Sequence, residues 1–202
     1  MNKIFVASVM LLVSLLMTSN AFAVNVALNA AVSLEGTFFA ARPATGWPSG
    51  SAGSQALIDS VVDGVFLPEG TQWDQNTLWW DEGFQDGVAN RVLLDLGAEY
   101  FISSFHVQAD NNDVYQISYL DSGSAAWVNV GAVAGWGMMT RPELFLPSTI
   151  QTSMLAITAV AGDGYYSLSE VQAEGAAVPE PATMVLIGTG LAGLAGLKRK
   201  KA

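Results

Sequence analysis

Apolar and polar residues alternate with a period of two along the middle of the chain, and no other pattern restricts its fold as tightly. Val92, Leu94 and Leu96 share one face against Arg91, Leu93 and Asp95, and Phe105, Val107 and Ala109 oppose His106 and Gln108. Tyr115, Ile117 and Tyr119 oppose Gln116 and Ser118, and Leu155, Ile157 and Ala159 oppose Ala156 and Thr158. A strand sends successive side chains to opposite faces, whereas a helix would scatter these residues around its circumference. Turn-forming clusters separate the runs: Asp110-Asn111-Asn112-Asp113, Asp121-Ser122-Gly123-Ser124 and Gly162-Asp163-Gly164. Short strands at this spacing predict an all-β, antiparallel sandwich or barrel. Only residues 54–62 have brief helical character, with Ser54 as the expected cap.

The two ends are different. Met1-Asn2-Lys3 is followed by an apolar run over residues 4–17, then by Ala21-Phe22-Ala23. A positive start, a short apolar stretch and an A-x-A site make residues 1–23 a secretory signal peptide, cleaved after Ala23 and specified by Ala21 and Ala23. At the other end Pro179-Glu180-Pro181 precedes the uncharged residues 182–197 and the basic Lys198-Arg199-Lys200-Lys201. Sixteen helical residues reach about 24 Å, just under the hydrocarbon thickness of about 30 Å, and lysine stems close the difference by snorkelling. A transmembrane helix is expected there. Its basic tail stays cytoplasmic and residues 24–177 lie across the membrane.

Charge divides the chain in the same way. Residues 24–177 carry three arginines against 17 acidic residues, a net −14. A surface of that sign repels phosphate backbones, which excludes nucleic acid as a partner. The chain has no cysteine, so a disulfide scaffold, a thiolate zinc site and a cysteine nucleophile are all excluded.

The layout of residues 178–202 resembles the PEP-CTERM sorting signal of Gram-negative bacteria: a Pro-Glu-Pro tripeptide, a short span and a basic tail. That resemblance implies an exosortase-type processing enzyme as a partner, an inner-membrane-anchored precursor, and export to the cell surface or an exopolysaccharide matrix. Residues 24–177 carry a second resemblance, on Asn25-Val26-Ala27, Val62-Asp63-Gly64 with Thr71-Gln72-Trp73, Leu94-Asp95-Leu96-Gly97, and the run from Gly162 to Val171. In that order they resemble the discoidin, or coagulation-factor type C, domain, which implies a galactose-binding-like jelly roll. The chain departs from that pattern at Arg91, where many relatives have tryptophan, and at Met154-Leu155-Ala156-Ile157, where they carry arginine.

Few residues could carry chemistry. His106 is the only histidine and sits mid-strand, so no Ser-His-Asp set is assembled. Asp81, Glu82, Asp110 and Asp113 could supply a glycosidase pair, but no spacing selects one, and the protein is read as not an enzyme. The discoidin resemblance implies a structural Ca2+ joining the loop after Asp63-Gly64 to a late glutamate, with Asp63, Thr71 and Glu170 as ligands. Calcium takes six to eight oxygens of this kind. Trp47, Trp79, Trp80 and Trp136 stand in Gly-, Pro- or Asp-flanked segments. Trp79 and Trp80 are expected to plug the core. Trp136 is expected to stack on a sugar whose hydroxyls Asp110, Asn111 and Asn112 would hold. The chain thus reads as an exported binding domain for extracellular polysaccharide. Its rivals are a structural matrix protein without a specific ligand and a carbohydrate-active hydrolase.

Overall fold

The computed structural model describes residues 23–36, 54–55, 57–81, 90–110, 113–134, 139–140 and 144–178. The strands, in chain order, are β1 (Val24–Asn25), β2 (Ala31–Glu35), β3 (Ser54–Gln55), β4 (Gln75–Asp81), β5 (Arg91–Ala109), β6 (Val114–Asp121), β7 (Ala126–Ala134), β8 (Met139–Thr140), β9 (Leu144–Ala161) and β10 (Tyr165–Ala177). A single 3-10 turn, Ile58–Val62, completes the described elements. Neighbours run β3-β4-β10-β5-β9-β6-β7, with β1 added to β10 and both β2 and β8 added to β5. Every pairing is antiparallel except β3 with β4. The expected antiparallel architecture is therefore the observed one.

The alternation explains which faces meet. Val92, Leu94, Ile102, Phe105, Val107, Ile117, Leu155 and Ile157 are all fully buried in one core. The runs 91–96 and 105–109 belong to the same 19-residue strand, which the local pattern alone does not reveal. Between them Gly97 takes φ +75, and Asp95 Oδ1 accepts its N–H at 2.9 Å. Register against β9 slips between Asp95 and Tyr100 and again between Ile102 and Ser104. Such bulges bend a long strand and let it pair with several neighbours in succession.

Trp80 fills the core beside Tyr115 (6.3 Å) and Tyr166 (5.8 Å), and Trp79 is buried against Trp73, so both tryptophans are packing residues as expected. Ser54 is not a helix cap. It pairs in β3 with Gln75, and the 3-10 turn begins only after Leu57, which is extended at φ −65, ψ 147 and makes no side-chain cap. The strand pairing gives the backbone its partners before a helix can start. Arg91, at the departure from the discoidin pattern, pairs with Glu35 at 2.7 Å and lays its guanidinium over Trp127, 5.5 Å from the ring centre. An indole from β7 thus packs against this position.

Among the described residues no helix is long and apolar enough to cross a membrane. The expected span, 182–197, lies outside them, as do Ala21 and Pro179, Glu180 and Pro181.

Candidate functional site

Two constellations stand out, both held by β10. The first begins where the 3-10 turn ends. Gly64 has φ +82, a conformation that glycine adopts without steric cost, and this turns its N–H toward Glu170, whose Oε1 accepts it at 3.1 Å. Gln172 Nε2 donates to the same oxygen at 3.3 Å. Asp63 Oδ1 accepts the Val65 N–H at 2.8 Å, which keeps its carboxylate beside Gly64. Glu170 is fully buried, and its Oε2 has no hydrogen-bond partner among the described residues. Burial pushes the Glu170 carboxyl up from 4.5 to about 7, against the pull of Gln172 and Gly64, and the Asp63 charge adds to the rise.

The loop that follows is pinned a second time. Gln108 accepts the Leu67 N–H at 2.7 Å and donates to the Leu67 carbonyl at 2.9 Å, and Ser169 Oγ donates to Gln108 Oε1 at 2.7 Å. The alternation puts Gln108 with the polar face, yet it is fully buried, because Leu67 and Ser169 satisfy its amide. The structure thus brings Asp63 and Glu170 together. Thr71 shares their loop, but its hydroxyl donates to the Pro68 carbonyl at 2.6 Å. Among the described residues no three His, Cys, Asp or Glu side chains gather as a metal-binding group. What the pair offers is two carboxylates and one bare, buried oxygen. Such an oxygen must be neutralised by a proton or a cation, and a hard cation that completes its shell with backbone carbonyls and water suits it.

The second constellation lies where β5, β6, β9 and β10 end together. Asp113 is buried, with Oδ1 accepting the Asp163 N–H at 3.3 Å and Oδ2 accepting the Tyr115 hydroxyl at 3.2 Å. That hydroxyl in turn accepts the Ser167 N–H at 3.0 Å, and Asp110 donates its own N–H to the Ser167 carbonyl at 3.1 Å. Gly162 is required here: a Cβ at φ +154 would stand 1.8 Å from Asp113 Oδ1. Burial first, then the charges of Asp110 and Asp163, push the Asp113 carboxyl from 3.8 to about 7, while the Asp163 N–H and Tyr115 pull it down. Both Asp113 oxygens are thus engaged, one by the Asp163 N–H and one by the Tyr115 hydroxyl.

The same corner presents an aromatic ring that the sequence pattern does not single out. Tyr165 follows the Gly162-Asp163-Gly164 turn, and its N–H donates to Asp163 Oδ1 at 2.9 Å. Its side chain is 41% exposed, and its ring packs on Trp73, centre to centre 5.4 Å. Trp73 packs edge-on against Trp79 at 5.6 Å. The one signal for it in the sequence is an aromatic residue directly after a Gly-Asp-Gly turn. Of the ligand residues expected from sequence, Asp110 is at this corner and almost wholly buried, whereas Asn111, Asn112 and Trp136 lie outside the described residues. His106 stands in β5 opposite Gln172, away from the corner.

Residues 177–200 match the PEP-CTERM protein-sorting motif. No curated protein matches the sequence. In fold the chain is similar to a fucolectin from striped bass (Morone saxatilis) serum, at TM-score 0.57 and 14% identity over 78% of this chain and 50% of that one. It is also similar to the C-terminal domain of a chitobiase from Bacteroides fragilis, at TM-score 0.52 and 12% identity over 77% and 99% of the two chains. A family 32 carbohydrate-binding module from C. perfringens NanJ, solved with galactose, matches at TM-score 0.50 and 16% identity, over 76% and 98%. The fold is the galactose-binding-like β-sandwich.

Both raised carboxyls bind their protons more tightly in the folded state. Folding therefore takes up protons between about 4 and about 7, and stability falls as pH rises through that window. In chelator, the melting temperature is expected to be lower at pH 8 than at pH 5.5, and Asp113→Asn should shrink the difference. Thermal melts across this range check it, and a slope unchanged by the substitution would contradict the assignment.

Proposed function

We propose that residues 24–177 form an exported, non-catalytic domain that binds extracellular polysaccharide, and that the PEP-CTERM tail holds the precursor at the inner membrane for exosortase-type processing. The observation that carries the binding half is Tyr165, 41% exposed with its ring in tilted contact with Trp73, at a corner rich in carboxylates. Sugar binding uses an aromatic face for the C–H groups and a few fixed polar groups for the hydroxyls, as small-ligand sites do generally. Asp163, on the exposed turn, supplies an acceptor there, with Asp110, Asn111, Asn112 and Trp136 the further contacts drawn from sequence. The sorting half rests on the motif at residues 177–200.

Calcium belongs to the same proposal. Asp63 and Glu170 would hold it through the free Glu170 oxygen, with Thr71 on the same loop, and the ion would neutralise a buried carboxylate and tie the loop to β10. It supplies charge and oxygen coordination, not chemistry on a substrate.

Losing an aromatic stack costs about 1–3 kcal/mol, by analogy with base–aromatic stacking, or roughly five- to 150-fold in affinity. Tyr165→Ala is expected to weaken retention in affinity electrophoresis through the bound polymer by that factor, and Tyr165→Phe should keep most of it. Normal retention of the alanine variant would move the site elsewhere, and no retention of the native domain on any polymer would leave an acidic structural protein. For calcium, extracellular modules bind at about 0.1–1 mM, so about 10 mM adds about 2.7 kcal/mol at the tight end. At about 2–4 °C for each kcal/mol, the melting temperature should rise by about 5–11 °C. Magnesium should do far less and Glu170→Gln should abolish the rise. Equal shifts with both metals would contradict a coordinated ion.

A further inference from the structure

Both ends of the folded domain leave from one place. Val24 of β1 pairs with Gly175 of β10, Ala176 and Ala177 pair with Phe101 and Tyr100 of β5, and the Val178 N–H donates to the Glu99 carbonyl at 3.1 Å. From there β5 and β10 run together, antiparallel, to Ala109 opposite Leu168. Nine residues of strand span about 30 Å, so the corner of Asp110, Asp113 and Tyr165 lies at the far end of the domain. The uncharged stretch starts at Ala182. Four Cα-to-Cα steps cover at most about 14 Å, a short tether compared with a headgroup layer of about 5–8 Å on each side of the hydrocarbon.

Large apolar side chains are exposed at this exit end. Phe101 is 37% exposed and Val24 56%, while Ile102 between the paired strands is fully buried, which sends Phe101 to the outer face. Phe145, at 72% exposed, pairs with Ser104 a little further along the same strand. Phenylalanine is among the apolar residues that interfacial segments bury at the boundary between headgroups and acyl chains. Glu99 and Glu174 sit at the same end, and their charge disfavours an anionic surface.

We propose that, before the tail is removed, the exit end lies with Phe101 against zwitterionic lipid headgroups and points the Asp110–Tyr165 corner away from the membrane. This rests on the proposed reading of residues 182–197 as a membrane span. The polysaccharide corner would then be open outward while the protein is still anchored.

The chain has no cysteine, so single labels can be placed cleanly. Full-length protein carrying Gln151→Cys, opposite Phe101 in the register, or Asp163→Cys would be labelled with an environment-sensitive fluorophore. Each would be reconstituted into phosphatidylcholine vesicles containing a headgroup spin-labelled lipid. The Gln151→Cys label is expected to be quenched at least several-fold more than the Asp163→Cys label, and adding Phe101→Glu should reduce that quenching. Flotation with the vesicles but equal quenching of both labels would overturn the orientation and leave the span intact. Failure to float would overturn the span, and the orientation with it.

Discussion

A buried carboxylate with one oxygen bonded and the other bare governs how the loop over residues 63–74 sits on the sandwich. Glu170 holds Gly64 through its bonded oxygen, and Gln108 holds Leu67 through both amide atoms. These two anchors fix the path of the chain into Trp73. Trp73 then fills the space between Trp79 on β4 and Tyr165 on β10, so the ring offered to solvent is held by a loop that is itself held by β10. Burying an ionised carboxylate without a partner is costly. The loop is therefore firmest when Glu170 carries a proton, which links loop order to pH, and the cation proposed above would act on the same oxygen.

The far corner follows the same logic with different parts. Tyr115 joins Asp113 on one strand end to Ser167 on another, and the absence of a Cβ at Gly162 lets the β9–β10 turn close onto Asp113. Polar groups here hold four strand ends in register, so that apolar burial by Trp80, Tyr115 and Tyr166 occurs directly beneath. A network of this kind is stable only when each member is satisfied. The raised Asp113 carboxyl is the consequence of burial first and of the charges of Asp110 and Asp163 second.

Much of the fold is legible in the sequence because, of the regular backbone conformations, only a strand sends alternate residues to opposite faces. Val92, Leu94, Leu155 and Ile157 face the core as that alternation requires. The unity of β5 is not legible, since the Gly97 bend and its register shifts interrupt the period. Gln108 departs from its expected face for a related reason: its partner is Leu67, 41 residues away, and no local pattern encodes it. The juxtaposition of Asp63 with Glu170 follows from family resemblance, and the geometry that supports it runs through the backbone of Gly64. Ser54 fails as a cap because strand pairing with Gln75 outweighs its local preference. Tyr165 belongs to a motif in the sequence, but its exposure beside Trp73 is visible only in the structure.

If Tyr165 stacks on the polymer as proposed, Trp73, which is 7% exposed, orients that ring from beneath. A double-mutant cycle on Trp73→Leu and Tyr165→Ala, read as affinity for the polymer that retains the native domain, tests this directly. Each single substitution should weaken binding, and the pair should weaken it no more than Tyr165→Ala alone, because the two act through one contact. Full additivity, or native affinity in Trp73→Leu, would contradict it.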